Sequence, residues 1–255
     1  MTKWRQVMKP KIGVQLYSVR EDCKRDLPWA LAEVAKIGYQ GVEFAGYYDY
    51  DAPTLRRMLD DNGLECCGTH IGIDQLLGDR LERTLEFHST LGCKYLIVPG
   101  LPEERRASLS AWRETAHIFN EIAERIQPYG FRTGYHNHWV EFQPMEGELP
   151  WDVFFSHTTA AVIMQIDTGN ALHGGAHAEP FVRKYPGRAL TVHCKEFSST
   201  NPNAVIGEGE VHWHEFFEAC ETVGGTEWYI VEQETYAHTP LETIRLCFEA
   251  MRRLT

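Results

Sequence analysis

The stretch Arg132-Thr133-Gly134-Tyr135-His136-Asn137-His138-Trp139-Val140-Glu141-Phe142 begins as a short buried strand and then delivers two imidazoles and a carboxylate within six residues. Side chains on an extended chain alternate with period two, so the spacing predicts His136 and His138 on one face. Glu141 follows where a strand would give way to a loop. Two readings of this cluster stand side by side. It is a divalent-metal or proton-transfer site, or a pair of hydrogen-bonded core histidines beside a solvated glutamate. The rest of the chain has to decide between them.

Working outward, the same unit recurs on both sides. Short apolar runs are expected as strands over Lys11–Tyr17, Gly41–Ala45, Leu64–Ile71, Lys94–Val98, Ala161–Asp167, Ala189–His193 and Trp228–Glu232. Between them lie helical patterns with recognisable ends. Asp26 caps a helix through Ile37, with Pro28 in its first turn and Gly38 after it. Ala52–Asn62 closes at Gly63, Leu76–Leu91 at Gly92, and Ser108–Gln127 before Pro128 and Gly130. Further helices are expected over Trp151–Phe155, Glu179–Tyr185, His214–Val223 and Leu241–Leu254, and His173-Gly174-Gly175 reads as a flexible link. With residues 132–142 as the fifth strand, eight strands each precede a helical segment, which argues for a parallel sheet. Eight such units in 255 residues predict a closed (β/α)₈ TIM barrel, one α/β domain spanning 1–255. The doubly wound sheet is disfavoured, because no GxGxxG follows the first strand.

With 43% hydrophobic residues and seven tryptophans, the chain can bury a large core. A formal charge of −11 speaks against nucleic-acid backbones and anionic membrane surfaces as partners. Met1 to Pro10 carry Lys3, Arg5 and Lys9 without a signal-peptide apolar core, and no run reaches the roughly 18 apolar residues of a membrane span. The seven cysteines are scattered and contain no CxxC, which fits reduced thiols in a cytoplasmic protein. Adjacent Cys66 and Cys67 would point to opposite faces of a strand.

Barrel enzymes place their sites at the carboxyl ends of the strands. There the sequence puts Glu43 on strand two, His70 ending strand three, and His136, His138 and Glu141 at strand five. Asp167, His193 and Glu232 end strands six, seven and eight, each directly after a hydrophobic run. So many carboxylates and imidazoles at one mouth would repel or desolvate one another unless something binds them, and a divalent cation is the simplest remedy.

These strand ends resemble the xylose isomerase-like TIM barrel superfamily, the sugar phosphate isomerase/epimerase group. The matching pieces are GVQLYSVR (13–20), GYQGVEF (38–44), His70, YHNHWVEF (135–142), IDTGN (166–170), VHCKEF (192–197) and IVEQE (230–234), which together span nearly the whole chain. The resemblance implies one metal held by residues of strands five to eight: Glu141, Asp167, His193 and Glu232, with His136 as the alternative to Glu141. Three carboxylates and one imidazole favour Mn²⁺, with Mg²⁺, Co²⁺ or Zn²⁺ as alternatives.

It further implies isomerisation or epimerisation of a sugar or keto-sugar through an enediolate. Glu232, Glu141 and His136 are then candidate acid/base groups, and His70, His138, Lys195 and Glu43 face the substrate. Lys195 could stabilise the oxyanion, or instead pair with Glu196 or Glu43. If a leaving group sits β to the abstracted proton, the same site becomes a lyase, as in an inosose dehydratase or a keto-glycoside-cleaving enzyme. An apurinic-endonuclease-type nuclease and a non-catalytic sugar-binding barrel are the remaining classes, and the acidic balance disfavours the nuclease. The expected partner is a small sugar-like molecule, with a homo-oligomer left open. Trp139, Trp213, Tyr47, Tyr48 and Tyr236 are read as a sugar-stacking rim or as ordinary packing. The loop from Val205 to Glu210 resembles a family element beside the site, although its glycines alone could account for a turn.

Overall fold

The structure, a computed structural model, describes residues 9–255. Lys3 and Arg5, read above as part of the N-terminal segment, lie outside them. Eight strands run parallel: β1 (Lys11–Gln15), β2 (Gly41–Phe44), β3 (Glu65–His70), β4 (Tyr95–Val98), β5 (Arg132–His136), β6 (Ile163–Gln165), β7 (Thr191–Cys194) and β8 (Trp228–Val231). Their order is β6-β5-β4-β3-β2-β1-β8-β7. The remaining seam, between β6 and β7, is closed by Met164 N–H to Arg188 O (2.8 Å), His193 N–H to Ile166 O (2.9 Å) and a parallel bridge between Asp167 and His193. The barrel is therefore zipped shut at two of the residues that the sequence marks for chemistry.

The outer layer is α1 (Arg20–Ile37), α2 (Ala52–Asn62), α3 (Arg80–Leu91), α4 (Leu109–Ile126), α5 (Pro150–His157), α6 (Thr168–His173), α7 (Glu179–Lys184), α8 (Trp213–Ala219) and α9 (Pro240–Leu254). Its caps follow local chemistry. Ser108 Oγ accepts from Ala111 N–H at the start of α4, and Gly63 and Gly92 end α2 and α3 in the left-handed conformation.

The first helix differs from expectation. Asp26 does accept from Trp29 N–H as a cap, but the chain is already helical from Arg20. Asp26 (φ −161°, ψ 89°) is a kink between two helical segments, as Pro28 requires, because its ring cannot follow an unbroken turn. The third and seventh units also deviate. Ile73–Leu76 forms a separate short turn ahead of α3, and α8 gives way to a wider helical turn over Cys220–Gly224. The link at His173 is the last turn of α6.

All seven cysteines are buried with free thiols. Cys67 faces the barrel lumen, where it packs with Tyr95, Ile97, Ile163, Trp228 and Ile230, while Cys66 joins the outer core between strands and helices. Nearer the carboxyl ends of the strands the lumen turns polar, with Gln15, Glu43, Gln165 and His193 all fully buried. Period-two alternation thus gives an apolar plug at one end and a polar layer at the other.

Candidate metal centre

At the carboxyl end of the barrel, one donor atom each from His136, Asp167, His193 and Glu232 lies within 4.8 Å of the others, and all four residues are buried. Each stands at or just beyond the end of a successive strand. Buried polar atoms are normally paired, yet His136 Nδ1 and Asp167 Oδ2 have no hydrogen-bond partner. Two imidazoles, two carboxylates and two orphaned donors fit a divalent cation.

The surrounding residues fix these donors in place. Asp167 is the N-cap of α6, and its Oδ1 accepts from Asn170 N–H (2.6 Å), so the cap holds one oxygen while Oδ2 is left over. Asn137 Oδ1 accepts from Asp167 N–H (2.8 Å) and its amide donates to Asp167 O (3.2 Å), tying β5 to β6 behind the site. His193 Nε2 is 2.6 Å from Glu43 Oε2, and its Nδ1 lies 3.2 Å from Glu232 and 3.8 Å from Asp167. Glu43 thereby dictates which ring nitrogen faces the cluster, the usual role of a carboxylate behind a ligating histidine. Glu43 is itself saturated by Gln15 Nε2 and Gln165 Nε2, both at 2.8 Å, with His70 Nε2 at 3.1 Å. A side chain on Gly68 would sit 2.5 Å from Glu43 Oε1, so glycine there makes room for the carboxylate.

Burial and charge set the protonation pattern. Burial, aided by the neighbouring His193 and His70, holds His136 well below the usual imidazole range, leaving it neutral as a ligand must be. Burial pushes the Asp167 carboxyl up to about 7 against the pull of Lys195. Burial would also raise Glu232, but Lys195 and His193 outweigh it and hold that carboxyl well below its ordinary value. His193 is the converse: burial lowers it, while Glu43 and Glu232 together carry it up to about 10.

The structure separates some residues that the sequence grouped. Glu141 is buried but outside the quartet, because its oxygens accept from Tyr135 Oη (2.6 Å) and His138 N–H (2.8 Å). His136 occupies the position in the cluster expected for Glu141. The strand ends at His136, so alternation stops there: His138 emerges exposed rather than sharing a buried face, its ring 5.4 Å from that of His136. Glu43 is wholly buried beneath His193 and is not at the mouth. Lys195 pairs with Glu234 and lies 3.8 Å from Glu232, not with Glu43 or Glu196. His70, ending β3, stacks on His193 at 5.1 Å and meets Gln165 Oε1 at 2.8 Å.

Of the aromatics, Trp139 is exposed and starts a row with His173 (5.8 Å) and Phe197 (5.6 Å from His173). Trp213 is core, and Tyr47 pairs with His88 and Thr69. In the loop from Val205 to Glu210, Gly207 N–H donates to Glu196 Oε2 (2.7 Å), and a side chain on Gly209 would collide with Phe197 O at 2.2 Å. Asn137 and Gln165 escaped the sequence reading, and Gln15 stood out in it only as a polar residue among the aliphatics of the first strand. The only local signal was polar side chains inside otherwise apolar strands.

A closed parallel barrel with a cluster of two imidazoles and two carboxylates at its carboxyl end defines a TIM barrel with a candidate metal site. The description "xylose isomerase-like TIM barrel" matches residues 31–254, and the chain belongs to that family. It is 28% identical to the inosose dehydratase of Geobacillus kaustophilus over 65% of this chain and 60% of that enzyme, so this match spans less than two thirds of the relative's length. It is 25% identical to the inosose dehydratase of Erwinia tasmaniensis over 80% of this chain and 81% of the enzyme. Among solved structures, a sugar phosphate isomerase/epimerase from Parabacteroides distasonis superposes with a TM-score of 0.83 at 22% identity, covering 99% of this chain and 98% of that one. The IOLI protein with a bound zinc atom gives 0.73 at 15% identity, covering 96% and 97%. Among the described residues no helix is long and apolar enough to cross a membrane.

Proposed function

We propose that the protein is a divalent-metal-dependent enzyme that removes a proton beside the carbonyl of a cyclic keto-polyol or keto-sugar and then expels a β-hydroxyl as water. The buried quartet with its two orphaned donors carries this reading. The relatives named inosose dehydratase favour elimination as the second half of the reaction.

His136, Asp167, His193 and Glu232 would hold the ion. Two imidazoles with two carboxylates suit Mn²⁺, Co²⁺ or Zn²⁺ better than Mg²⁺. When bound, such an ion polarises a carbonyl and acidifies the C–H next to it.

The chain's own groups supply the rest. Lys195 is held charged by Glu232 and Glu234 against the desolvation of its burial, and it stabilises the negative oxygen that develops as the proton leaves. With His136 and Glu232 committed to the quartet and Glu141 to Tyr135 and His138 N–H, exposed His138 is the base that takes the proton. Glu141 positions His138 by gripping its backbone. The row of Trp139, His173 and Phe197 gives an apolar wall for the C–H face of a ring.

Returning the proton to the other face or the neighbouring carbon would make the same site an epimerase or isomerase. The readings part in D₂O. A dehydratase converts a keto-inositol to a product lighter by one water, whereas an isomerase accumulates deuterium at unchanged composition. The absence of both outcomes with every cyclic keto-polyol and keto-sugar tried would defeat the proposal.

A further inference from the structure

A second group of metal-type donors lies outside the buried quartet. His177 comes from the connection between α6 and α7, Glu179 is the first residue of α7, and His212 is the residue ahead of α8. One donor atom from each lies within 4.8 Å of the others. The two imidazole rings stack with centroids 4.1 Å apart and an interplanar angle of 13°, and His212 Nδ1 is 3.6 Å from Glu179 Oε1. For bonds of about 2.0–2.2 Å in a tetrahedral site, donors stand about 3.3 Å apart, so the pair already has nearly the required spacing.

The backbone on both sides is fixed. Ala176 N–H donates to Ala171 O (2.9 Å), and Ala178 O accepts from Phe181 N–H (3.1 Å), which hold the residues flanking His177. Val211 N–H donates to the buried carboxylate of Glu196 (3.2 Å) and His212 O accepts from Phe216 N–H (3.0 Å), which hold the segment around His212. The histidines therefore face each other across two anchored segments, and only side-chain rotation separates them from a binding geometry.

We propose that His177, Glu179 and His212 form a second, solvent-facing site for a borderline transition-metal ion of the Zn²⁺, Cu²⁺ or Ni²⁺ class. Two imidazoles and one carboxylate select that class over Mg²⁺ and Ca²⁺, which prefer all-oxygen shells. Ligands on the connections after β6 and after β7 would brace two walls of the barrel mouth across the seam where the sheet is weakest. Its exposure makes it the weaker of the two sites, because water competes for the ion.

Calorimetric titration of the full chain with Zn²⁺ tests this. The expected result is a tight equivalent followed by a weaker one. His177→Ala and His212→Ala each abolish the weaker equivalent, leaving the tight one and the activity of the metal-loaded protein unchanged, while His136→Ala removes only the tight one. A weaker equivalent that survives both His177→Ala and His212→Ala overturns the proposal, as does a single equivalent that only His136→Ala removes. A single equivalent lost in His212→Ala but kept in His136→Ala would support the surface site and count against the buried quartet instead.

Discussion

At one end of the barrel lumen Trp228 and Ile230 of β8 pack with Cys67, Tyr95, Ile97 and Ile163; two residues past Ile230, Glu232 of the same chain stands among His136, Asp167 and His193. Both layers are buried and both follow the same alternation, yet they place opposite demands on the fold. The apolar layer is stabilised by burial itself, at roughly 25 cal/mol per Å². The polar layer is costly to bury and is tolerated because nearly every atom is partnered, from Gln15 and Gln165 on Glu43 to Asn137 on Asp167. The exceptions, His136 Nδ1 and Asp167 Oδ2, mark where the fold stops serving itself. A substitution in one layer should register as stability, and in the other as metal affinity and turnover.

The largest separation is expected from Asp167→Ala set against Trp228→Ala. The first removes a donor and should lower kcat by at least about a thousandfold, in line with losing an electrostatic stabiliser of about 4 kcal/mol, with the tight equivalent of metal lost on elemental analysis. The second empties the plug and should cost about 3–5 kcal/mol in denaturant unfolding while metal content stays intact.

Next comes Glu43→Gln, which keeps the shape but loses the charge that orients His193. Metal affinity should fall about 10–100-fold with only a small change in midpoint of unfolding; an unchanged affinity would make Glu43 mere filling. The pH dependence sharpens the same contrast. The ligands must be deprotonated, and Asp167 sits at about 7 and His193 at about 10, so apparent metal affinity should climb as pH rises through about 7 and go on climbing toward about 10. A titration flat across that range would deny Asp167 a place among the ligands. The smallest effect is expected from Trp139→Ala at the exposed rim, where a few-fold rise in KM with kcat unchanged would reveal a stacking contact.

Much of this contrast was legible in the sequence. Asp167, His193 and Glu232 each end an apolar run, and counting eight such runs placed them at one mouth. The fate of residues 136–141 was not. Period two holds only while the chain is extended, and β5 ends at His136, so nothing local says that Glu141 turns back to Tyr135 while His136 joins the quartet. Glu43 was misplaced for a related reason. Its depth depends on register around the closed barrel, through Gln15↔Glu43 and the 2.6 Å approach of His193, 150 residues away. Asp26 shows the limit at the level of secondary structure. Its cap was readable, but the helical turn ahead of it was not, because a capping signal marks a start without saying whether another helix runs into it.

The proposed function requires that the quartet hold an ion on which proton removal depends. The most direct measurement is the rate of deuterium incorporation from D₂O into a cyclic keto-polyol, followed through chelation and then through stepwise return of Mn²⁺. Exchange is expected to stop on chelation and to recover fully at one equivalent in the wild-type chain, with no recovery in Asp167→Ala. Exchange that continues unchanged in the chelated protein would contradict it.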